Sequence, residues 1–101
     1  MKYNKLVRDK IPEIINKKGE TSIIHRASDD EYAKKLREKL NEEVLEFLES
    51  NKPEELADII EVVHALGESL NFDKDKLESL RLKKAEERGS FKDKIILDET
   101  N

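Results

Sequence analysis

Four carboxylates fall into two pairs of one spacing, Glu43 with Glu46 and Glu55 with Asp58. Residues at i and i+3 of a helix sit about one turn apart on one face, so both acids of a pair can reach one cation or two adjacent ones. On a wheel of about 100° per residue with Glu43 at zero, Tyr32, Ala33, Leu36, Leu40, Val44, Phe47 and Leu48 span about −20° to 140°. Glu43 lies inside that arc and Glu46 at its edge. With Glu55 at zero, Leu56, Ile59, Ile60, Val62, Val63, Leu66 and Leu70 span the same arc, Glu55 again lies inside it, and Asp58 lies at the edge. Each of the two helices thus places one acid in its apolar stripe and one beside it.

The pairs mirror each other through the break at Asn51-Lys52-Pro53. A connection this short makes its helices antiparallel neighbours. Glu46 then stands level with Glu55, and Glu43 and Asp58 lie one turn further from the loop. All these acids meet at the edge of one hydrophobic seam. Without a cation they would repel, and part of the set would hold protons. A divalent metal removes the conflict. Mg²⁺ takes oxygen ligands in octahedral geometry and keeps waters or substrate phosphates as the remainder, and Mn²⁺ accepts the same donor set and would substitute. The competing reading for any single acid is a solvated helix position, since Glu is a good helix former and Glu54 and Glu55 sit in a first turn that favours negative charge. The mirrored placement of the whole set favours the metal. Glu42, Glu49, Glu54 and Glu61 fall further from the stripe. Of these, Glu42 serves as an outer ligand or as a base that orients water, and the other acids are solvated.

The elements that must position these acids are helices. Asp9 to Lys18 reads as a short helix, with Asp9 as N-cap, Pro12 in the first turn and Gly19 as the stop. Ser28, Asp29 and Asp30 open a long helix running to about Ser50. Pro53 suits the first turn of the next, which runs to about Leu70. After Asn71-Phe72-Asp73 a third long helix covers about Lys74 to Arg88, ended by Gly89. Ser22 to Arg26 and Lys94 to Leu97 read as short strands that pair with each other. The fold class is mainly α: an antiparallel helix pair, a third long helix packed on it, and short terminal strands, all in one domain over residues 1–101.

Composition narrows the function classes. Of 101 residues 44% are charged, the net charge is −4 and both signs are interspersed, so no basic face points to a nucleic-acid polymer. The absence of cysteine excludes disulfides and thiolate metal sites. No long apolar run or signal-peptide core is present, so a soluble, cytoplasmic protein that does not bind membranes is expected. With 36% apolar residues the core is thin, and a thin core is often shared between subunits, a homodimer first.

Glu42-Glu43-Val44-Leu45-Glu46 and Glu55-Leu56-Ala57-Asp58 resemble the EExxE…ExxD signature of the all-α NTP pyrophosphohydrolase superfamily, which includes MazG-type, dimeric dUTPase and phosphoribosyl-ATP pyrophosphohydrolase enzymes. Lys5-Leu6-Val7-Arg8-Asp9-Lys10-Ile11-Pro12 and Glu87-Arg88-Gly89-Ser90-Phe91 are similar to the flanking motifs of its small, phosphoribosyl-ATP pyrophosphohydrolase-like house-cleaning branch. The resemblance implies a MazG-like helical bundle and Mg²⁺ dependence. It further implies release of pyrophosphate and a nucleoside monophosphate, and oligomers whose subunits build each other's sites. By carry-over, Glu43, Glu46, Glu55 and Asp58 would be the metal ligands. The chain departs from the broader pattern in the short gap between its acidic motifs, and from the branch in Ser90, where a second glycine is common.

Cleavage between the α and β phosphates needs a nucleophilic water and neutralised charge on the leaving pyrophosphate, and carboxylate-held Mg²⁺ supplies both. Glu43 or Glu42 would orient the water while the remaining acids hold one or two ions. Lys5, Arg8, Lys10, Lys84 and Arg88 are the candidate phosphate cations. The competing reading for each is a solvated surface cation. Gly89 permits a tight turn that brings Arg88 towards a ligand. Gly67 inside a helix suggests close helix packing, and His25 and His64 read as surface residues. Tyr3, Tyr32, Phe72 and Phe91 are the aromatic residues available to stack on a base, although core packing is the commoner use. The other functions that fit the sequence are a phosphoribosyl-ATP pyrophosphohydrolase and a non-enzymatic helical dimer or regulatory module whose acids form a solvated face.

Overall fold

The computed structural model describes residues 2–101. Among them the regular elements are all helical: α1 (Ile11–Lys17), α2 (Asp29–Ser50), α3 (Pro53–Ser69) and α4 (Lys74–Arg88). The chemistry of each end is local. The Ser28 hydroxyl caps α2 by accepting the Glu31 N–H at 3.2 Å, and Asp29, Asp30 and Glu31 fill a first turn whose dipole favours negative charge. The helix stops at Asn51, which turns left-handed at φ 57° while its N–H bonds the Phe47 carbonyl at 2.7 Å. Asparagine tolerates that conformation better than most residues with a Cβ. Lys52 then leads to Pro53 at the start of α3, where a missing N–H costs nothing. Asp73 caps α4 by accepting the Lys76 N–H at 3.0 Å, and Gly89, at φ 85°, ends it.

Helices α2 and α3 pack side by side and carry what core there is. Leu36 and Val62 are the buried apolar side chains among the described residues, and Glu43 is the buried charged one. A minor contact joins α4 to α3. There the Phe72 N–H bonds the Gly67 carbonyl at 2.7 Å, and Leu77 lies against the same glycine. A Cβ on Gly67 would stand 2.5 Å from the Phe72 carbonyl oxygen, so the glycine is required by the turn between α3 and α4 more than by a helix crossing.

Several expectations need correction. Ser22 to Arg26 and Lys94 to Leu97 form no strand. Ile23, Ile95, Ile96 and Leu97 are almost fully exposed, and two short strands with no face to pack on are not stable in water. Asp9 does not cap α1, because Lys10 occupies that position and makes no side-chain capping bond. The third long helix touches α3 alone among the described residues, since α4 is polar around most of its circumference and buries no residue. His64 is half-buried rather than at the surface.

Candidate metal centre and its cations

The α2–α3 contact brings Glu43, Glu55 and Asp58 together, with one carboxylate oxygen of each within 4.8 Å of the others. Glu43 is 7% exposed, placed in the seam by nearly the same wheel position that buries Leu36 two turns earlier on α2. Its Oε1 lies 3.2 Å from the Lys39 ammonium, whereas Oε2 is buried without any hydrogen-bond partner. A buried carboxylate oxygen with no donor is costly. A hard cation would satisfy it. The donor set is all carboxylate oxygen, as Mg²⁺ or Mn²⁺ requires. Glu43, Glu55 and Asp58 are therefore the residues that would hold such an ion.

Glu46 is exposed and lies outside this group of three, but it feels it. Its carboxyl titrates above the usual glutamate range, raised first by the Glu43 charge and further by Glu55 and Glu42. Desolvation raises Glu55 as well, and Asp58 and Glu43 add to the effect. Like charge raises Glu46 most, and desolvation raises Glu55 most with neighbouring acids adding to it.

Glu42 turns to cations instead. It accepts from Lys39 at 2.8 Å and from Lys5 at 3.2 Å. The bond from Lys39 holds its carboxyl below the usual range, partial burial opposes that, and Lys5 adds to the lowering. Burial alone would lower Lys39, but Glu42 and Glu43 outweigh it and hold the ammonium above its ordinary value. Arg8 donates to Asp58 Oδ1 at 2.7 Å, so a residue of the N-terminal lead already touches the acidic group.

Lys5 and Arg8 therefore contact acids of α2 and α3, Glu42 and Asp58. Lys10, Lys84 and Arg88 form no ion pair among the described residues, and α4, which carries Lys84 and Arg88, approaches only α3. Tyr3 and Phe91 are exposed, while Tyr32 is half-buried on α2. Sequence reasoning missed Lys39, and with it Lys35. Both precede the first acidic motif on α2, one turn apart, and a lysine three and four residues before paired glutamates was the available signal.

Comparisons with known proteins add little here. A 42-residue stretch is 55% identical to an uncharacterized protein of Mycolicibacterium smegmatis, covering 42% of this chain and 43% of that one. The similarity thus spans less than half of either chain. No family model and no solved structure matches the chain. No helix among the described residues is long and apolar enough to cross a membrane.

Proposed function

We propose that the chain is a Mg²⁺-dependent nucleoside triphosphate pyrophosphohydrolase that cleaves between the α and β phosphates to give a nucleoside monophosphate and pyrophosphate. The observation that carries this reading is Glu43, whose Oε2 is buried without a partner and whose carboxylate lies with those of Glu55 and Asp58. That is a hard-cation donor set, held between two packed helices. The EExxE…ExxD resemblance and the N-terminal motif that delivers Lys5 and Arg8 to the same acids support it.

Glu43, Glu55 and Asp58 would hold the cation, with Glu46 completing the set from one turn along α2. The bound ion supplies a low-pKa water and a clamp on phosphate oxygens. Glu42 orients the attacking water from its place beside Glu43, and the bonds from Lys39 and Lys5 keep it ionised for that task. Arg8, at the rim on Asp58, offers a planar fork to a phosphate. In this reading α2 and α3 form an antiparallel hairpin of MazG-like type, and the active unit is a homo-oligomer that works on non-canonical nucleotides.

The test is pyrophosphate release from a panel of canonical and modified NTPs and dNTPs, with and without Mg²⁺. Release with monophosphate as co-product, lost when Mg²⁺ is removed, is the expected result. Folded, Mg²⁺-loaded protein that attacks phosphoribosyl-ATP alone would narrow the substrate. Protein that attacks none of these compounds would overturn the hydrolase reading.

A further inference from the structure

Beside the acidic group lies a cleft of about 230 Å³ between the N-terminal lead and α2, lined in part by Asn4, Lys5, Lys35, Lys39, Glu38 and Glu42. It would hold several waters at about 30 Å³ each, or a small polyanion. Lys35 and Lys39 stand one turn apart on α2, and each side chain is only 20% exposed. Long ammonium side chains are rarely held this far from water without a purpose or a partner. Lys35 donates to the Asn4 carbonyl at 2.8 Å and lies 3.4 Å from Glu38. Asn4 aims that carbonyl through a left-handed turn at φ 47°. Lys39 spends donors on Glu42 and Glu43, and Lys5 on Glu42. An ammonium has three donors, so each of these lysines keeps at least one for a ligand. Lysines in this lining outnumber acids, and Glu42 joins the cleft directly to Glu43.

Resting on the pyrophosphohydrolase reading, we infer that this cleft is a pyrophosphate subsite: Lys35, Lys39 and Lys5 bind the β and γ phosphates of the substrate, the group that leaves. Glu42 lines the cleft and its sequence neighbour Glu43 belongs to the acidic group, so the bond to the α phosphate would be cut on that side. Lys35 is the residue that neither acidic motif nor flanking motif marks, and its partners lie outside the acidic group. It therefore separates anion binding from cation binding.

The experiment is calorimetric titration of the intact chain with inorganic pyrophosphate in excess Mg²⁺, alongside Mn²⁺ titration followed by electron paramagnetic resonance. Lys35→Gln should weaken pyrophosphate binding by about tenfold or more, the loss expected for a charge-assisted bond to phosphate. Mn²⁺ affinity should stay within about twofold, and Lys35→Arg should restore most of the binding. Unchanged pyrophosphate affinity in Lys35→Gln overturns the subsite, as does an equal loss of Mn²⁺ affinity. Sulfate binding as tight as pyrophosphate binding also overturns it, because any cluster of ammoniums would do that. If Lys35→Gln fails to fold, Lys5→Gln replaces it, with a several-fold loss expected and no loss again counting against the subsite. Nucleotide hydrolysis with no effect of Lys35 sinks the subsite and leaves the hydrolase. Lysine-dependent pyrophosphate binding without hydrolysis sinks the hydrolase and leaves a polyphosphate-binding cleft.

Discussion

Glu43 is the residue on which the functional reading turns, because it is buried, charged and half unpaired at once. Glu43→Gln keeps the shape and removes the charge. Mn²⁺ affinity should fall by about tenfold or more, as for loss of a charged ligand contact, with helical circular dichroism unchanged. Glu49→Gln, on the outer face of the same helix, should bind as the parent does. Equal affinity in both variants would mean a solvated face. Acidity offers a second test at this scale. Glu46 and Glu55 titrate above the ordinary glutamate value of 4.5 in the folded chain. For an acid raised by folding, the repulsion costs stability above the raised pKa and is relieved as pH falls through it. A bound cation must expel such a proton, so Mn²⁺ affinity should fall as pH is lowered through the raised pKa values of Glu46 and Glu55 while the fold persists. Glu42 carries the opposite sign. Lowered by Lys39 and Lys5, its contribution to stability is present above 4.5 and is lost as pH falls through its lower folded value. The three acids that meet, Glu43, Glu55 and Asp58, were legible in the sequence because carboxylates in or at the edge of an apolar arc stand out from a chain full of glutamate, whereas Glu46 lies outside their group. Lys39 and Lys35 were not, because lysine on a charged helix looks like solvent exposure until another segment covers it. Here the cover is the N-terminal lead, bonded through Asn4 and Lys5.

Helix ends decide how the site is held at the scale of elements. Alanine at Ser28 or Asp73 removes a hydroxyl or carboxylate that caps an N-terminus. Each should cost about 1 kcal/mol in denaturant unfolding, and the Ser28 change should act on α2 and the acids it carries. Gly67→Ala is the harsher change. Its Cβ would meet the backbone oxygen of Phe72 at 2.5 Å, which no side-chain rotation can relieve. A loss of about 1–3 kcal/mol is expected for such overpacking. Mn²⁺ affinity per folded molecule should be unchanged, since Gly67 serves the α3–α4 turn and not the acids. A stability equal to the parent's would show that α4 can swing away freely. The helices were legible to within a residue or two because their stops are chemical: asparagine with positive φ at 51 and 71, Pro53 and Gly89. The two expected strands were misread from their isoleucines. Ile23-Ile24 and Ile95-Ile96-Leu97 have the composition of strands, but a strand needs a sheet, and nothing local in a sequence supplies the second face.

A chain of 101 residues that folded alone would have a radius of gyration of about 13 Å, whereas this one has 17.8 Å and a long axis of 61 Å. Its accessible surface is 9604 Å², against about 5,900 Å² for a compact monomer of 11.8 kDa. The excess is larger than one chain's half of an obligate interface, about 1,000–2,500 Å², so the irregular terminal and connecting segments contribute to it along with any uncovered helix face. Exposed apolar side chains lie on those segments, where Ile23 is 102% and Phe91 97% exposed, and also on α2 and α3, where Leu48 is 70% exposed and Ile60 54%. On the two wheels these residues sit at the far end of the apolar arc, away from Glu46 and Asp58. The stripe of each helix is wider than a single partner helix can cover. Its inner part is spent on the α2–α3 seam and the acids, and its outer part is left for another surface. We propose that a second copy of the same chain covers that surface, since it would bring an equal uncovered stripe. Light scattering on the purified protein should therefore give a mass of at least two chains. The double change Leu48→Lys and Ile60→Lys sets like charges against each other across such an interface, and should yield monomer with a lower unfolding midpoint. A parent that runs as a monomer at micromolar concentration would remove the shared core. It would leave Leu36 and Val62 to hold the helices alone, too little burial for a domain of this size to stay folded.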